Sequence, residues 1–70
     1  MSEDDRWAVL HFAQANPAGE GQGSVPALLR RVADSIDELG AVQIQDVVFH
    51  GELDDDGRER PTVTVYYLRA

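Results

Sequence analysis

The chain contains no cysteine and no lysine. The first absence removes disulfide staples, thiolate metal sites and cysteine nucleophiles together. The second leaves six basic residues, all arginine, against thirteen acidic ones, for a formal net charge of −7. A field of that sign repels phosphate backbones, so nucleic acid is not an expected partner. It also disfavours anionic membrane surfaces. Long apolar runs are missing as well, and no stretch approaches the ~18 residues that span a bilayer. The acidic start Met1-Ser2-Glu3-Asp4-Asp5 lacks the basic and apolar regions of a signal peptide. The expected location is the cytoplasm, with no membrane partner. Histidine is scarce: His11 and His50 alone make a thin nitrogen set, and no metal site is expected.

What is present fits one small domain. A domain of 70 residues buries only about 60% of the surface its unfolded chain exposes. Such domains need a staple. With disulfides and metals set aside, self-association is the staple expected, as a dimer or higher homo-oligomer. The lysine-free composition, rich in Ala, Gly, Val and Asp, also reads as the product of a GC-rich genome.

Residues 1–5 read as a disordered acidic lead and residues 6–70 as the domain. Trp7 to Ala13 form a short aromatic-containing run, closed by Asn16-Pro17, that predicts a strand apolar on both faces. Residues 16–23, with glycine at 19, 21 and 23, predict a flexible connector. Ser24 is a good N-cap and Pro26 suits a first helical turn. Val25, Leu28, Leu29, Val32, Ala33, Ile36 and Leu39 then recur at steps of three and four, one apolar stripe of an amphipathic helix that Gly40 ends. Between Ala41 and Leu53 the alternation slips: Val42 and Ile44 share one parity, Val47 and Phe49 the other. A β-bulge near Gln45-Asp46 reconciles them. Leu53 to Arg60 predicts a charged hairpin turning at Asp56-Gly57.

Thr62 to Leu68 is free of charge and proline, which suits a central strand. The predicted fold is therefore α+β, β-α-β-β, with sheet order 1-3-2, the first two strands parallel and the helix on one face. The opposite face carries Tyr66 and Leu68, with Trp7 and Val9 from the first strand. These four are the expected interface between copies.

Several motifs invite chemistry. The glycines before the helix fit neither phosphate-binding pattern, and no lysine is available to reach a phosphate. Glu52-Leu53-Asp54-Asp55-Asp56-Gly57 spaces carboxylates like half a calcium loop, but Val63 stands where the closing glutamate belongs, so turn chemistry explains it better. His11, His50 and Glu52 are the candidate acid–base group, provided the strand registers bring them together. Trp7, Phe49 and Tyr66 are the candidates for stacking a flat ligand between subunits, against packing as their ordinary role.

Three resemblances stand beside these readings. Ser24 to His50, with Val63-Thr64-Val65-Tyr66-Tyr67, resembles a group of short acidic proteins from GC-rich bacteria, which implies no activity or site residues. Asp34-Ser35-Ile36 resembles the Asp-Ser-Leu attachment site of acyl carrier proteins, although Ser35 falls late in its helix. In element order the chain is similar to dodecins, β-α-β-β flavin-storage proteins that form hollow shells. Dodecins carry a tryptophan on the second strand, where this chain offers Phe49. No cofactor is expected on this basis. The functional expectation is a non-enzymatic, homo-oligomeric interaction module open to a further protein partner, and the alternative is a small-ligand protein or minor enzyme with a site between subunits.

Overall fold

The structure, a computed structural model, describes residues 8–69. The acidic lead 1–5 and Trp7 lie outside the described residues. Four elements follow one another: β1 (Ala8–Ala15), α1 (Val25–Leu39), β2 (Gln43–His50) and β3 (Thr62–Arg69). The sheet order is β1-β3-β2, with β3 antiparallel to both neighbours. This is the α+β arrangement expected from the pattern, with its one helix on one face and the uncharged strand in the centre.

Local chemistry sets the ends of α1. Ser24 is extended and its Oγ accepts from the Ala27 N–H at 3.3 Å, satisfying one of the helix's free donors. Pro26 occupies the first turn, where no N–H is needed. Gly40 stops the helix with φ +77°, and its N–H reaches the Asp37 carbonyl at 3.2 Å. Arg69, at the end of β3, donates from Nη2 to the Leu39 carbonyl at 3.1 Å and so covers an orphan acceptor of the last turn.

The register of β2 shifts between Ile44 and Asp46, which is the bulge the slipped alternation requires. After it, Val47 pairs with Val65 and Phe49 with Val63. The core is Leu28 and Val32 of α1 on Val63 and Val65 of β3, with Phe12 and Ile36 packed against it. Leu28, Val63 and Val65 are fully buried, each stabilising by about 1.5–3 kcal/mol over exposure.

The connector 16–23 is folded rather than loose. Asn16 is buried, and its Nδ2 donates to the carbonyls of Gly21, Gln22 and Ser24, the last at 2.8 Å. Gln22, also buried, accepts from the Gly19 N–H and donates to Asp54 Oδ2 and the Glu59 carbonyl, each at 2.9 Å. Arg60 donates from Nε and Nη2 to the Asn16 carbonyl at 3.1 and 3.0 Å. Glycine repeats hid this tie because its anchors are single amides, which carry no periodic signal.

Candidate functional site

The helix covers only part of its own sheet face. Ser35 donates from Oγ to Gln14 Oε1 of β1 at 2.8 Å, which turns that side of α1 towards β1. At 100° per residue, Leu29 and Ala33 lie about 120–160° round the helix from Ser35, on the flank towards β2. A helix is about 10 Å across, and three strands spaced 4.8 Å apart are wider than that once their side chains are counted. The consequence falls on β2. Its helix-side residues Ile44, Val47 and Phe49 are 37%, 50% and 50% exposed, and on the helix flank Val25 and Leu29 are 37% and 49% exposed.

Exposed apolar residues, here called the strip, thus lie on both elements, and Val25 of α1 meets Phe49 of β2 in one hollow. The wall is the α1 flank, Val25 and Leu29, with exposed Ala33 beside them. The floor is Ile44, Val47 and Phe49 of β2. At one end Val25, Phe49, Gly51, Leu53 and Pro61 line a hollow of about 260 Å³, with Gly23 and Glu59 at its rim. Leu53 leaves two thirds of its surface in solvent. No charged side chain belongs to the wall or the floor.

The other sheet face is mixed. Val9 stands opposite Leu68 and His11 opposite Tyr66, with their rings 5.7 Å apart. The register places Gln43, Asp46, Val48 and His50 of β2 on the same face, beside Thr62 and Thr64. Val9, Tyr66 and Leu68 do share this face as the alternation predicts, but polar side chains interrupt them.

The candidate acid–base group is dispersed. His11 pairs with Tyr66 while His50 pairs with Thr62, four residues away along β3. That is about 13 Å along the strand and about 10 Å across two strand spacings. Glu52 lies past the end of β2, where its carbonyl accepts from the Arg60 N–H at 2.8 Å. Phe49 and Tyr66 lie on opposite faces of the sheet and cannot stack one ligand within a chain; Trp7 lies outside the described residues.

The acidic hairpin is a turn held by its own carboxylate. Asp54 Oδ1 accepts the N–H groups of Asp56 and Arg58, both at 2.9 Å, and Gly57 closes the turn onto the Asp54 carbonyl at 2.9 Å. The Gln22 amide on Oδ2 and the Arg58 N–H on Oδ1 hold the Asp54 carboxyl below its ordinary value. Among the described residues no group of three or more His, Asp or Glu is placed to hold a metal ion, and no helix is long and apolar enough to cross a membrane.

Sequence reasoning missed the strip. Its signal was available: after the bulge, Val47 and Phe49 share a parity, and the helix stripe is wider than one strand pair can bury. The chain matches no protein-family model, no curated protein and no solved structure.

Proposed function

We propose that the chain is a non-enzymatic interaction module that works as a homo-oligomer, using the strip along α1 and β2 as its interface. The observation that carries this reading is the half-exposure of Ile44, Val47 and Phe49 on the face that the helix should cover. Together the six exposed residues of the strip, from Val25 to Leu53, offer roughly 500 Å², within the about 300–600 Å² of the largest apolar patch on a typical monomer. Patches of this size are often binding surfaces. A further protein partner would then meet a surface that the oligomer leaves free.

A second reading has its own observation. The hollow beside Phe49 is lined mostly by apolar residues, with Glu59 the one acidic residue among them. At about 260 Å³ it lies below the ~300 Å³ at which drug-sized pockets begin. A ligand the size of a flat polycyclic ring would need walls from a second copy.

Native mass spectrometry of the purified protein tests both. Multiples of the bare 7.7 kDa chain support the interaction module. Oligomers with added non-covalent mass favour the ligand reading, and single bare chains overturn both.

A further inference from the structure

We propose that the hollow at the start of α1 takes a small organic cation, an ammonium carried on one aromatic ring or branched alkyl group. One chain supplies the whole hollow, so this site goes beyond both readings above and needs no second copy.

The walls come from four stretches of chain. They are Gly23 of the connector, Val25 of α1, Phe49 of β2 with Gly51 and Leu53 just after it, and Glu59 and Pro61 ahead of β3. Hydrogen bonds fix these stretches against one another. Gln22 Nε2 donates to the Glu59 carbonyl and to Asp54 Oδ2, each at 2.9 Å, and the Arg60 N–H donates to the Glu52 carbonyl at 2.8 Å. Leu53 and Glu59 bridge across the hairpin. The hollow is therefore formed before any ligand arrives, as small-molecule sites usually are. Two glycines keep it open. A Cβ at Gly51 would stand 3.8 Å from Phe49 Cε1, and one at Gly23 would stand 3.8 Å from Glu59 Oε2. Neither glycine has a positive φ, so the backbone does not demand them.

Size and charge choose the ligand. An apolar cavity of about 150 Å³ holds one benzene ring, so the 260 Å³ here has room for a ring with a short polar arm. Val25, Phe49, Leu53 and Pro61 offer that ring no side-chain hydrogen bond and hold it by burial. Glu59 supplies the one charge. Its neighbouring arginines are engaged elsewhere: Arg58 lies 3.8 Å from Asp54 Oδ2, and Arg60 donates to the Asn16 carbonyl at 3.1 and 3.0 Å. Among the described residues the Glu59 carboxylate makes no ion pair. An anion would meet that carboxylate on a chain of net charge −7. A neutral ring would leave it unanswered. An ammonium beside the ring pairs with it while the ring fills the apolar walls.

Nitrogen-15 NMR titrations of the full chain with benzylamine, benzyl alcohol and benzoate, at pH 7 and matched ionic strength, test the site. The three share a ring and differ in charge. Benzylamine is expected to shift the amides of Gly23, Val25, Phe49, Gly51 and Leu53 and to bind about 2–5-fold tighter than benzyl alcohol, the gain of an exposed ion pair. Benzoate should bind most weakly. Glu59→Gln should bring benzylamine down to the affinity of the alcohol and leave the alcohol unchanged. Gly51→Val should fill the hollow and abolish binding of both, with circular dichroism checking the fold; if a variant unfolds, the charge series on wild type decides alone. Equal affinity for all three ligands, or a benzylamine preference that survives Glu59→Gln, overturns the cation and leaves an apolar ligand site standing. Shifts spread over Asp54, Asp55 and Asp56 instead of the hollow, or no shift with any ligand, overturn the site itself.

Discussion

Val65 and Val47 stand opposite one another across the β3–β2 ladder and point to the same sheet face, yet Val65 is 0% exposed and Val47 50%. The helix ends between them. Val65→Ala removes packed core atoms and is expected to cost about 2 kcal/mol or more at any protein concentration. Val47→Ala removes only half-covered atoms in the single chain and is expected to cost more where copies associate and cover the rest. Urea melts of each variant at two protein concentrations, well below and well above association, check the difference. Equal losses for Val47→Ala at both concentrations would mean that its own chain already covers it.

Salt should strengthen association. Each chain carries a formal net charge of −7, so copies repel one another at low ionic strength, and Glu59 is the one charged residue lining the hollow at the end of the strip. Raising sodium chloride from about 0.02 to 0.5 M shortens the screening length from tens of ångströms to a few. The dissociation constant from sedimentation is expected to fall several-fold. A rise would point to an interface held by ion pairs.

The tie between Gln22 and Asp54 gives a pH dependence. The Gln22 amide and the Arg58 N–H hold the folded Asp54 carboxyl below its ordinary value. Its contribution is therefore present above that value and is lost as pH falls through the folded pKa. Asp54→Asn removes the titrating group, so the urea midpoint of wild type should fall more steeply than that of the variant as pH drops below the ordinary aspartate range. Parallel curves would show that the carboxylate bonds contribute nothing.

The cap of α1 is a local prediction. Ser24→Ala deletes the acceptor of the Ala27 N–H and is expected to cost about 1 kcal/mol. Ser24→Asp restores an acceptor and adds a negative charge at the positive end of the helix dipole, so it should recover most of that loss. Thermal melts of the two variants beside wild type decide it.

The fold was largely legible because each element carries a local signal: steps of three and four on α1, an uncharged run on β3, and the slipped parity that marks the β2 bulge. The site was not. Which flank of a helix stays bare depends on its rotation over the sheet, here set by the Ser35–Gln14 hydrogen bond, and a pair 21 residues apart leaves no periodic trace. His11 and His50 are separated for the same kind of reason: parity puts both on one face, but only the register tells how far apart they lie.

Sedimentation equilibrium of wild type beside Val47→Asp and Val9→Asp tests the central claim most directly. Val47→Asp puts a charge on the floor of the strip, and Val9→Asp puts one on the opposite face. At least two 7.7 kDa chains are expected for wild type and Val9→Asp, and single folded chains for Val47→Asp. Wild type sedimenting as single chains would contradict it, as would dissociation by Val9→Asp with Val47→Asp unaffected, which would move the interface to the face of Tyr66 and Leu68.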